Sequence, residues 1–114
     1  MIIVYGIVNC STVKKARAWL AENGQPSEFH DFKKHGVPPE KLALWVQAVS
    51  WEKLLNRQGT TWRKLDPAAQ AAVTDSASAQ ALMRAQPSVI KRPVVQWDQG
   101  ITVGFDAAVW AARV

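Results

Sequence analysis

Tyr5-Gly6-Ile7-Val8-Asn9-Cys10-Ser11-Thr12-Val13-Lys14-Lys15-Ala16 is the stretch on which the fold turns. In front of it, Ile2 to Tyr5 is a short apolar run with β-branched residues, bounded by Gly6, and reads as a buried strand. Behind it, Val13, Ala16 and Leu20 recur at helical spacing, with Trp19 beside them. Ser11 or Thr12 can cap the start of that helix, and Asn23-Gly24 supplies the left-handed position that ends it. Pro26 forbids continuation, and Ser27 to Phe32 reads as a second strand. A strand, a helix and a strand in succession predict a right-handed unit with two parallel strands.

Working outward, the middle of the chain is helical. Pro38-Pro39 opens a helix with an apolar stripe of Leu42, Trp45, Val46 and Val49, and Trp51, Leu54 and Leu55 make a second, shorter stripe. Asp66-Pro67 opens a third helix, with Asp66 as its cap, and Asp75 or Ser76 a fourth, which turns Ala81 and Leu82 inward. The period then changes. Val94 to Trp97, the turn Asp98-Gln99-Gly100 and Ile101 to Val103 read as a β-hairpin, and Asp106 caps a last helix containing Val109 and Trp110. The order is β-α-β, a helical block, then β-β-α. Without the block this is the minimal thioredoxin arrangement, so the expectation is an α/β chain, one thioredoxin-like domain over residues 1–114, with a helical insertion at about 38–87 between the second and third strands.

Bulk composition narrows the function classes. The chain has 114 residues, 48% hydrophobic and 20% charged, which suits an ordinary globular domain. No apolar run approaches the ~18 residues of a membrane span. The apolar N-terminus lacks a basic segment and a small-residue cleavage site, so it reads as a strand and not as a signal peptide. A single cysteine excludes an internal disulfide and suits a reducing cytoplasm. The net charge of +5 is scattered in twos and threes (Lys14-Lys15-Arg17, Lys33-Lys34, Lys91-Arg92), which favours local anion binding over a nucleic-acid groove. His30 and His35 with one distant cysteine give no metal-ligand spacing.

Chemistry centres on Cys10. Amide N–H groups at a helix start are unpaired, and the helix dipole adds positive potential there. Lys14, one turn on, would add a cation. Each effect favours the thiolate. The alternative is a small buried apolar residue. Cys10-Ser11-Thr12-Val13 has the layout of a redox CxxC with its second cysteine missing, so the thiol needs a partner from outside, glutathione being the obvious one. Arg92-Pro93 stands directly before the third strand, where a thioredoxin-like fold holds a cis-proline facing the cysteine; in that fold Arg92 lies close enough to hold an anion or the thiolate. Asn9, Ser11, Thr12, Arg92 and Pro93 are thus the expected glutathione and substrate contacts. Arg57 and Thr60-Thr61-Trp62-Arg63-Lys64 offer further anion and hydroxyl contacts. Asn9 can equally be an ordinary turn residue, and surface arginines are common.

Three segments carry a family resemblance: Tyr5 to Ala16, Leu54-Leu55-Asn56-Arg57-Gln58-Gly59-Thr60-Thr61-Trp62-Arg63-Lys64-Leu65, and Ile90-Lys91-Arg92-Pro93. The chain resembles the ArsC/Spx family of arsenate-reductase-related proteins, most closely its YffB-like branch. The resemblance implies a thioredoxin-like fold with a helical insertion, a catalytic role for Cys10 and an oxyanion-binding role for Arg92. It further implies attack of the thiol on an oxidised substrate, glutathionylation, and release by a glutaredoxin-type partner. Arsenate reductases carry additional arginines where this chain has Glu52 and Gly104, which weakens arsenate as a substrate. Val13 at the second CxxC position excludes the disulfide switch of Spx regulators. A glutathione-dependent thiol oxidoreductase is the leading expectation, with a non-catalytic Spx-like binding protein and an arsenate reductase as alternatives.

Overall fold

The computed structural model describes residues 1–114. The chain divides into two compact units, residues 1–35 with 92–114, and residues 36–91. The second unit contains the helical block expected at about 38–87 and is wider by a few residues at each end.

The first unit is built on a four-stranded sheet in the order β2-β1-β3-β4, with β1 at Ile2–Gly6, β2 at Ser27–Asp31, β3 at Val94–Gln96 and β4 at Ile101–Val103. β1 pairs in parallel with β2, so that Val4 faces Phe29 and Gly6 faces Asp31, and antiparallel with β3, where Val4 faces Val95. β3 and β4 form the hairpin, closed by a bond from the Trp97 amide to the Gly100 carbonyl. Strand alternation sends Ile2, Val4 and Val95 to one face. There they join Ala16 and Leu20 of α1 (Ser11–Glu22), Trp97, and Trp110 of α8 (Ala107–Ala111) in one buried cluster. Trp110 is its hub. Trp97, Phe105 and Trp19 meet it edge-on at 5.0, 4.8 and 5.7 Å, the arrangement that ring quadrupoles favour. Full burial of a large apolar side chain contributes about 1.5–3 kcal/mol, so this cluster is a main anchor of the unit.

Sequence patterning located these elements closely. Asn23 closes α1, and Gly24 follows at φ +64°. Asp106 caps α8 by accepting from the amides of Ala108 and Val109. Phe32, expected to end the second strand, instead opens a single helical turn, α2 (Phe32–His35), and is buried with its ring 6.3 Å from that of Tyr5. Gly6 has a positional reason: a Cβ there would stand 2.8 Å from Val13 Cγ2. Its absence lets the first turn of α1 lie close against the end of β1.

The second unit contains α3 (Pro39–Val49), α4 (Trp51–Leu54), α5 (Thr60–Arg63), α6 (Pro67–Ala71), α7 (Ser76–Ala85) and a 3-10 turn at Pro87–Val89. Leu42, Trp45, Leu54, Leu55, Ala79, Met83, Val89 and Ile90 form its buried set. Leu55 pairs with Ile90 through an isolated antiparallel bridge, flanked by bonds from the Asn56 amide to Val89 and from the Lys91 amide to Leu54. Two expectations are corrected here. In α7 the inward positions are Ala79 and Met83; Leu82 is half-buried and Ala81 exposed. Asp66 precedes α6, but its side chain makes no capping bond. No helix is long and apolar enough to cross a membrane.

Candidate active site at Cys10

The tight turn after β1 delivers the cysteine. The Cys10 amide donates to the Ile7 carbonyl at 3.2 Å, and the Cys10 carbonyl accepts from the Lys14 amide at 3.0 Å as the first bond of α1. Cys10 is therefore itself the cap residue, in extended backbone at φ −90° and ψ 123°. Neither Ser11 nor Thr12 serves as the cap. No conventional side-chain bond closes the helix start; the amides of Thr12 and Val13, the second and third of the helix, act on the Cys10 sulfur instead.

Four influences set the thiol. Burial opposes its ionisation most strongly. Against burial stand the Val13 amide, the Arg92 guanidinium through both a hydrogen bond and its charge, and the Thr12 amide. Together they outweigh it, and the thiol ionises below its ordinary value. Cys10 is half-buried and not sealed in the core.

Arg92 approaches from the start of β3. Its peptide bond to Pro93 is cis, and Pro93 is buried. The Pro93 carbonyl accepts from the Gly104 amide at 2.9 Å, which ties the entry of β3 to the residue after β4. Gly104 has φ +83°, in the left-handed region that disfavours a side chain.

Not every expected residue takes part. Lys14 is exposed and is not among the groups acting on the sulfur. Asn9 and Ser11 are exposed beside Cys10, and Thr12 is half-buried. Arg57 belongs to the second unit, where its guanidinium stands 5.7 Å from the ring centres of both Trp51 and Trp62. Val13 is the contributor missing from the sequence-derived set. Its apolar side chain points to packing, and only its place three residues into the helix marks its amide as a donor. No group of three or more His, Cys, Asp and Glu side chains is placed to hold a metal ion.

The arrangement is a partly exposed sulfur favoured as the thiolate by two amides and one guanidinium, a nucleophile suited to attack on sulfur or another oxidised centre. Similar proteins share the whole chain. The solved structure of a YffB protein is 46% identical, covers 98% of this chain and 97% of its own, and superposes with a TM-score of 0.93. The solution structure of an arsenate reductase (ArsC) related protein from Brucella melitensis is 49% identical over 97% of this chain and 92% of its own, with a TM-score of 0.76. An uncharacterized protein of Haemophilus influenzae is 36% identical over 112 residues, 98% of this chain and 97% of its own length. The ArsC family pattern matches residues 5–113. With that span, which includes Cys10 and Arg92, the chain belongs to the ArsC family.

Proposed function

We propose that this protein is a glutathione-dependent thiol oxidoreductase with Cys10 as its nucleophile. The observation that carries the reading is the Cys10 sulfur at the start of α1, in hydrogen bond with Arg92 and ionising below the ordinary thiol value. Membership of the ArsC family and likeness to an arsenate-reductase-related structure support thiol redox chemistry of this kind.

The steps follow from one thiol and no second cysteine. The Cys10 thiolate attacks the glutathione-bearing sulfur of a mixed disulfide. The old S–S bond breaks, the substrate thiolate leaves with the electron pair and takes a proton from water, and Cys10 is left glutathionylated. A second glutathione thiolate, or a glutaredoxin-type protein, attacks the glutathione sulfur and restores Cys10. With free glutathione as the resolving thiol, the balance is one mixed disulfide and one glutathione in, one substrate thiol and one glutathione disulfide out. Arg92 and the Thr12 and Val13 amides favour Cys10 as attacking group in the first step and as leaving group in the second, since both place negative charge on the same sulfur. Asn9, Ser11, Thr12 and the chain entering β3 at Pro93 are the surfaces on which glutathione would lie. Arsenate fits less well: Arg92 is the cation that acts on the sulfur, and Gly104 brings no second one from the end of the hairpin.

Mass spectrometry after exposure to oxidised glutathione, with turnover of a small glutathione mixed disulfide, tests the reading. The expected result is one glutathione on Cys10, none on the Cys10→Ser variant, and catalytic turnover. A thiol that titrates at about 8.5, the value of an unperturbed cysteine, with no adduct and no turnover, would end it.

A further inference from the structure

The charged side chains of the segment that holds Cys10 are all of one sign. Residues 1–21 contain no carboxylate, but contain Lys14, Lys15 and Arg17. All three are exposed on α1. The Arg17 guanidinium lies over the Phe29 ring at 4.2 Å, which leaves Lys14 and Lys15 as the ammonium groups nearest in sequence to the sulfur. Neither forms an ion pair; the ion pair of this unit joins the N-terminal amine to Asp98.

The acidic groups of the same unit are engaged or distant along the chain. Asp31 accepts from the Lys33 amide, Asp98 holds the N-terminus, and Asp106 caps α8. Glu22 is at the far end of α1, and Glu28 pairs in register with Ile3, near the start of β1 and away from the Cys10 end. The stretch of α1 that follows the sulfur therefore carries exposed ammonium groups and no carboxylate before Glu22, while the Asp31 carboxylate lies on β2 in register with Gly6.

These two lysines do not act on the sulfur itself. Charge that leaves the nucleophile unaltered but borders its approach acts on what arrives. Such a field raises the encounter rate of oppositely charged reactants, and salt screens it over a Debye length of about 10 Å at 0.1 M. We infer that Lys14 and Lys15 select anionic disulfides as the reactants of Cys10, whether small carboxylate-bearing disulfides or disulfides set in an acidic protein surface. The inference rests on the thiol chemistry proposed above and adds the class of substrate that the site prefers.

Three small symmetric disulfides of similar size test it: dithiodipropionate as the anion, hydroxyethyl disulfide as the neutral reference and cystamine as the cation. The rate of stoichiometric attack by Cys10 on each, relative to the neutral probe, is read at low and high salt. At low salt the anion is expected to react about tenfold faster than the cation, with the ratio falling toward one as salt rises. The Lys14→Gln, Lys15→Gln double variant should lose most of that ratio, with the pH profile of attack on the neutral probe unmoved. Two glutathionylated carriers, one acidic and one basic protein, form a second arm: preference for the acidic carrier assigns the field to protein substrates, and indifference assigns it to small ones. Equal rates for the three small probes, or a preference that survives the double variant, would overturn the inference. Because the probes need only one attack, absence of glutathione turnover would remove the catalytic reading and leave this measurement standing.

Discussion

Helix α1 is capped by Cys10 and helix α7 by Asp75. In both, the residue before the helix lies in extended backbone, and helix-start amides act on its side chain. In both, the side chain ionises below its ordinary value. At Asp75 the cause is Ser78, whose amide donates to the carboxylate at 2.9 Å and whose hydroxyl donates at 2.8 Å while accepting from the Asp75 amide at 3.1 Å. That box is closed, local and open to water. At Cys10 burial resists the charge, and the Val13 amide, a guanidinium from a distant part of the sequence and the Thr12 amide together outweigh it. The difference teaches what separates a cap from a nucleophile. A carboxylate whose partners lie within three residues completes a helix and has no further reaction to perform, whereas a sulfur held ionised by the Val13 amide, by Arg92 and by the Thr12 amide carries reactive charge at a half-buried residue.

The comparison breaks most sharply if Cys10 is made to resemble Asp75. Cys10→Asp should start α1 as well as the native residue and abolish all glutathione adduct and turnover, with Cys10→Ser equally inactive; circular dichroism and intact mass read the two halves of that expectation. Next in size, Arg92→Ala should raise the thiol toward its ordinary value and slow attack on a neutral disulfide at pH 7 by about tenfold, the order of effect a neighbouring cation has on ionisation. Arg92→Lys should recover part of that loss, since an ammonium restores charge but not the guanidinium fork.

The pH dependence sharpens the contrast further. The folded Cys10 thiol ionises below its unfolded counterpart, so its ionisation adds stability that is fully present above about pH 8.5 and is lost as pH falls through the folded value. Denaturant unfolding across that range should show the gain in the native protein and not in Cys10→Ser. The attack rate should rise with pH and level off below the range of an ordinary thiol. The Asp75 carboxylate behaves in the same sense at acid pH: its contribution is present above about 3.9 and is lost as pH falls through the folded value. The smallest effect belongs to Asp75→Ala, which should lower the thermal midpoint by on the order of a few degrees and leave the titration and reactivity of Cys10 unmoved.

Much of this could be read from the residues alone, for reasons that differ by region. β1, α1 and the 94–103 hairpin carry strong signals: a β-branched run, a helical stripe ending at Asn23-Gly24, and a change of period after Pro93. The 60–89 region carries weak ones. Its alanines give little contrast between faces, so patterning points to Ala81 and Leu82 as the inward side of α7, whereas Ala79 and Met83 are the buried positions of the helix that the Asp75 capping box starts. A single turn such as α5 is too short to show periodicity. At the site, Cys10, Arg92 and Pro93 were legible from position. The Val13 amide was not, because a backbone donor leaves no mark in the identity of its residue. One helical turn of separation points to Lys14 as a cation acting on the thiol, but spacing does not specify where an exposed side chain goes, and Lys14 is not among the groups that act on the sulfur.

The six tryptophans fall evenly across the two units, with Trp19, Trp97 and Trp110 in the first and Trp45, Trp51 and Trp62 in the second. Each unit consequently carries its own optical reporter. Replacing the three indoles of one with phenylalanine would leave the emission of the other, so the loss of structure in the part that holds the sulfur can be timed separately from loss in the helical part.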